Sequence, residues 1–123
     1  MEVNDIFSIE TLANENGALH VRAAIDKNHW VYKAHFPEKP ITPGAVILHT
    51  LQNIVCQALS INYKIALIKS VRFMVPVEPD KVECMDFNVE IFQESEDSVV
   101  AKCLVTSGDI KFSKINVKLT TVL

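Results

Sequence analysis

One stretch of this sequence, and only one, repeats its apolar residues at helical spacing over a long span. From Thr42 to about Ser60, residues Ile47, Leu48, Leu51, Ile54, Val55, Ala58 and Leu59 recur at three- and four-residue steps, which places them on one face of a helix. Thr42 is a suitable N-cap, and Pro43 suits the first turn, where its missing N–H has no intrahelical partner anyway. The segments on either side read as strands. Ile6–Leu12 and Leu19–Ile25 flank Asn16-Gly17, a strong hairpin signal. Beyond about Lys64 come Ile65–Val75, Val82–Gln93, Val99–Ser107 and Ile110–Val122, expected as successive antiparallel strands, with turns at Glu94–Ser98 and Ser107-Gly108-Asp109. A hairpin, one long helix and four strands predict an α+β fold in which about six antiparallel strands cover one central helix.

The chain of 123 residues, 49% hydrophobic and 22% charged, has the size and balance of one domain spanning residues 1–123. A formal charge of -3 with no long basic run argues against nucleic acid as a partner. Cys56, Cys84 and Cys103 are odd in number, far apart and form no Cys-x-x-Cys pair. They indicate reduced thiols and a cytoplasmic location rather than a disulfide framework or a zinc knuckle. The acidic and polar start, Met1-Glu2-Val3-Asn4-Asp5, is unlike a secretory leader. The apolar runs, such as Ala45–Leu48, are far shorter than the roughly 20 residues a bilayer span needs.

Chemistry concentrates between the first hairpin and the helix. The segment His35-Phe36-Pro37-Glu38-Lys39-Pro40-Ile41-Thr42-Pro43-Gly44 holds three prolines within seven residues. Each proline fixes its own φ and restricts the residue before it, so His35 is presented from stiff chain. Gly44 falls in the first helical turn, where N–H groups lack carbonyl partners and the helix dipole is positive. A histidine base beside such a donor can abstract a proton next to a thioester carbonyl while the amide holds the enolate oxygen. Taken alone, a rigid loop with a packed or capping histidine, and a glycine packed against a strand, account for the same residues.

The pattern His35-Phe36-Pro37-x-x-Pro40-x-x-Pro43-Gly44 resembles the signature of FabZ/FabA-type 3-hydroxyacyl-[acyl-carrier-protein] dehydratases, which have the hotdog fold. Arg72-Phe73-Met74-Val75-Pro76-Val77-Glu78-Pro79-Asp80 is similar to that family's strand and Pro-Gly-Asp turn, without the glycine. The resemblance implies a six-stranded antiparallel sheet around the helix, protomers joined edge to edge, and acyl chains bound at the dimer interface. It assigns His35 as the base that removes the C2 proton and Gly44 as the amide that polarises the thioester carbonyl. The family's Glu or Asp, which assists departure of the C3 hydroxyl from the helix of the other protomer, has its position taken here by His49. A protonated imidazole at 49 can donate to that hydroxyl while neutral His35 acts as base; a helix-face histidine with a structural hydrogen bond explains it equally. Phe36, Pro43 and Phe73, with Trp30 nearby, are expected to contact the acyl chain. No metal or redox cofactor is implied.

The expected substrate is a 3-hydroxyacyl thioester on acyl carrier protein or coenzyme A, dehydrated to the trans-2-enoyl product. The expected assembly is a homodimer, or a heterodimer with a related subunit. Two alternatives stand beside it: His49 motivates an accessory subunit that binds acyl carriers and relies on a partner for the acid, and the implied hotdog fold allows an acyl-thioesterase, which the missing carboxylate at 49 disfavours. His20 and His29 lack metal-ligand spacing to a second donor, Cys56 reads as a small buried thiol, and Lys39, Lys69 and Arg72 read first as solvated charges, with contact to an acidic acyl carrier protein as the alternative.

Overall fold

The computed structural model describes residues 6–34 and 40–122. Strands β1 (Phe7–Glu15) and β2 (Ala18–Ile25) form the first hairpin, followed by helices α1 (Trp30–Ala34) and α2 (Gly44–Leu59) and strands β3 (Tyr63–Phe73), β4 (Cys84–Ser95), β5 (Ser98–Ser107) and β6 (Ile110–Thr121). All six strands belong to one sheet in the order β1-β2-β4-β5-β6-β3, and every neighbouring pair is antiparallel. The expected α+β architecture, six antiparallel strands and one long helix, is what the chain adopts.

The strands are antiparallel but not simply successive. β4 pairs with β2, and β3 pairs with β6 at the far edge. The connection from β3 to β4 therefore passes β6 and β5, and among the described residues β3 has one edge unpaired. At the first hairpin Asn16 and Gly17 both have positive φ (55° and 87°), as the tight turn requires.

Helix α2 buries Val46, Ile47, Thr50, Leu51, Ile54 and Val55. These meet the inward residues of the sheet, among them Val21, Met85, Phe87, Val105, Ile115 and Leu119. The stripe matches the sequence expectation at its centre, but Leu48, Ala58 and Leu59 are only partly buried. The start of α2 differs by one step. Pro43, with φ -62° and ψ 142°, occupies the N-cap position, no side chain caps the helix, and Gly44 is the first helical residue. Thr42 does not cap because its hydroxyl shares a 2.7 Å hydrogen bond with that of Tyr32. The short helix α1 was not visible as periodicity, since its five residues are too few to show a repeat. Among the described residues no helix is long and apolar enough to cross a membrane.

Candidate active site

The site is organised by the beginning of α2. Tyr32 on α1 and Thr42 before α2 are both buried, and their hydroxyls meet. Thr42 also donates its N–H to Val77 O at 2.8 Å, so the β3–β4 connection is tied to the same point. Burial raises the Tyr32 phenol above its ordinary range despite the opposing hydrogen bond from Thr42, which keeps the phenol protonated. His35 and Phe36 lie outside the described residues, but the chain on either side of them is fastened together by this contact. No motif signals the Tyr32–Thr42 pair, which joins two elements ten residues apart.

Gly44 and Phe73 come together. A methyl group built on Gly44 would stand 2.5 Å from Cζ and 2.7 Å from Cε2 of Phe73, so the ring lies directly over the space that the glycine leaves open. Phe73 is nevertheless 48% exposed, and Pro43 beside it is partly buried. Among the described residues no side chain caps α2 and no acidic residue stands in its first turn, and the first-turn N–H groups of a helix, which lack intrahelical carbonyl partners, lie at the positive end of its dipole. An oxyanion is the species such a place favours.

The side of α2 that faces β3 is defined by two hydrogen-bonded contacts. Gln52 accepts the Ile65 N–H at 2.9 Å through Oε1, and the Cys56 sulfur meets both the N–H and the carbonyl of Tyr63 at 3.2 and 3.3 Å. At 100° per residue His49 lies within about 60° of both Gln52 and Cys56. The partly buried His49 therefore shares the helix side that faces the start of β3 and not the core stripe, and it lies about 140° around the helix from Gly44.

That side is bordered by uncovered apolar surface. Ile68, Val71 and Phe73 pair with Val117, Ile115 and Ser113, all inward residues of β6, so they share the helix side of the sheet. Yet all three are exposed, as are Met74 and Val75. A long edge strand with exposed apolar residues is a surface built to be paired.

The other candidates have structural partners. His29 is buried and accepts the Val31 N–H through Nδ1 at 3.2 Å, closing the start of α1. His20 lies on the opposite sheet face beside Asn88 (2.8 Å) and Asp86 (3.5 Å). Cys103 is buried, and desolvation pushes its thiol far up. Trp30 stacks obliquely near His29 with ring centres 5.5 Å apart. Among the described residues no cluster of three or more His, Cys, Asp and Glu side chains is arranged to hold a metal ion.

Comparison with solved structures places the architecture among hotdog folds. The dehydratase heterocomplex ApeI:P from Xenorhabdus doucetiae superposes with a TM-score of 0.74 at 16% identity, covering 93% of this chain and 97% of that one. A homologue of HP0420 from Helicobacter felis gives 0.70 at 14% identity over 99% and 93% of the two chains. A hypothetical thioesterase from Streptococcus pneumoniae, solved with coenzyme A, gives 0.66 at 10% identity over 96% and 87%. At these identities the likeness is one of fold. No curated protein matches. The model of the ApeI-like family, described as ApeI dehydratase, matches residues 11–113, which include the whole His35–Gly44 segment, the long helix and five of the strands in full or in large part; on that extent of match, this chain belongs to the ApeI-like dehydratase family.

Proposed function

We propose that this protein is a hotdog hydro-lyase that removes water from a 3-hydroxyacyl thioester carried on acyl carrier protein or coenzyme A. The observation that carries the reading is the uncapped start of α2, where Gly44 offers an amide donor beneath the exposed ring of Phe73. With the thioester oxygen at that amide, His35 takes the C2 proton and the electron pair moves into the enolate. As the enolate collapses, the C2=C3 bond forms, the C3–O bond breaks, and a proton from His49 accompanies the hydroxyl out as water. Pro43, Phe36 and Phe73 then contact the acyl chain. The steps follow those of FabZ/FabA-type enzymes, which the sequence resembles, with His49 in place of their carboxylic acid.

A second reading has its own support. The exposed apolar edge at β3 and the absence of a carboxyl group at position 49 favour a subunit that pairs with a related chain and borrows its acid, an assembly akin to the ApeI:P heterocomplex. The thioesterase alternative rests on fold likeness alone and lacks a carboxylate at 49 to direct water. The test is turnover of 3-hydroxyacyl, enoyl and saturated acyl thioesters by the purified chain, alone and mixed with a related hotdog subunit. Dehydration or hydration that disappears in His35→Ala supports the lyase. Activity only in the mixture supports the shared site. Free acid release, or no turnover in either form, overturns the proposal.

A further inference from the structure

The face of the sheet turned away from α2 carries a groove of about 920 Å³ that plays no part in the reading above. Its lining includes Arg72, Lys102, Lys111 and Lys114 against the single acidic residue Glu90. Four of the chain's 12 Lys and Arg side chains are thus gathered in one place on a protein whose net charge is -3. The gathering is set by strand register. Arg72 on β3 is directly opposite Lys114 on β6, and in the next row along the strands Lys102 lies between Glu90 and Asn116. Directly opposed like charges weaken a sheet, and neither Arg72 nor Lys114 nor Lys111 has an ion-pair partner among the described residues. Fold stability therefore gives no reason for this arrangement. A polyanion does, because a guanidinium and two ammonium groups at one end match several phosphate oxygens at once, while Lys102, a row away, holds its ammonium 5.4 Å from the centre of the Phe92 ring.

The polar remainder of the lining suits the same occupant. Ser70, Asn88 and Asn116 supply hydroxyl and amide groups, and Leu104 and Met74 supply apolar contact. Met74 follows Phe73, whose ring lies over Gly44, so the groove ends at the strand terminus that bears the candidate site on its other face. We propose that this groove binds the phosphate-rich nucleotide end of coenzyme A. Several separated cations fit its multiple phosphates better than the single phosphodiester of a protein-bound pantetheine arm. The choice of carrier rests on the thioester reading, but phosphate recognition by the groove can be measured without it.

Calorimetric titration of the intact protein with coenzyme A, 4′-phosphopantetheine and pantetheine tests the assignment. Coenzyme A should bind tightest and pantetheine undetectably, and affinity should fall as salt rises. Lys114→Gln and Lys111→Gln should each weaken coenzyme A binding by about three- to tenfold, while Lys64→Gln, outside the groove, should not. Equal binding of coenzyme A and pantetheine, or affinities unchanged in both groove variants, overturns the proposal. Tighter binding of 4′-phosphopantetheine than of coenzyme A overturns the choice of carrier. Turnover of N-acetylcysteamine thioesters, which carry no phosphate, reports separately on the lyase reading.

Discussion

Replacing Gly44 by alanine separates the chemistry of the helix start from its stability. The backbone at Gly44 lies outside the positive-φ region, so alanine is accepted there without backbone strain. In a helix interior the exchange stabilises by about 0.5–1 kcal/mol, and less in the first turn. The added methyl would meet Phe73 at 2.5 Å, too close for any real contact, so the ring must move. It can, since the atoms involved are the far end of a half-exposed side chain. Full burial of a phenylalanine is worth about 1.5–3 kcal/mol, and losing part of a half-buried contact costs about 1 kcal/mol or less. The two effects nearly cancel, so thermal unfolding should shift by no more than about 5 °C.

Activity should respond very differently, because the methyl occupies the space from which a carbonyl oxygen must approach the amide. Loss of one oxyanion donor lowers kcat by about 10²- to 10³-fold, equivalent to roughly 2.7–4 kcal/mol of transition-state stabilisation. The assay is kcat and kcat/KM for enoyl thioester hydration, beside a melting curve of the same preparation. A double variant, Gly44→Ala with Phe73→Ala, should remain inactive even though the steric conflict with the ring is gone. A folded Gly44→Ala protein with kcat within about threefold of the parent would refute the amide's role.

The remaining predictions concern the supports of that site. Tyr32→Phe removes one hydroxyl from a buried pair and leaves Thr42 without its partner, so it should destabilise by about 1–3 kcal/mol in denaturant unfolding. Burial raises the Tyr32 phenol, so its contribution to stability is complete below the unfolded value near 10 and is lost as pH rises through the higher folded value; the fall in stability above that pH should be shallower in Tyr32→Phe. Ile68→Asp on the exposed helix-side strip of β3 should shift the native mass measured by light scattering to that of a single chain, and an unchanged mass would exclude this strand as the joining edge. His49→Glu should raise the dehydration rate if position 49 supplies the acid; an unchanged or lower rate argues for a structural histidine.

The central helix was legible because a period of three to four residues over a long span has no competing explanation, and the strands because β-branched runs alternate with Asn-Gly and Ser-Gly turns. The sheet order was not. Nothing in the composition of β3 says that it pairs with β6 rather than β4, because that choice is made by packing against α2 through Gln52 and Cys56. The helix start was misplaced by one residue for a similar reason. Thr42 has the chemistry of an N-cap, but a tertiary partner, the Tyr32 hydroxyl, holds its oxygen. The pairing of Gly44 with Phe73 was also beyond local reasoning, since it joins residues from two separate motifs that only the fold brings into contact. The groove was invisible because its four cations come from β3, β5 and β6 and become neighbours only through register.

Phe73 links assembly to chemistry. Its ring fills the space that a Cβ on Gly44 would occupy while its remaining surface belongs to the exposed apolar strip of β3. A partner that covers this strip must also fix the ring, because the uncovered half of the side chain is what the partner would bury. Under the proposed function, association would therefore do more than bring a second helix near His49: it would decide whether the ring rests over the helix start or swings aside to admit a thioester. On this argument activity should depend steeply on protein concentration near the association midpoint. Phe73→Ala should weaken that dependence by disconnecting the strand edge from the glycine, even where the dimer still forms. If specific activity is instead constant through the monomer–dimer transition, the isolated chain contains a complete site and the coupling through Phe73 does not exist.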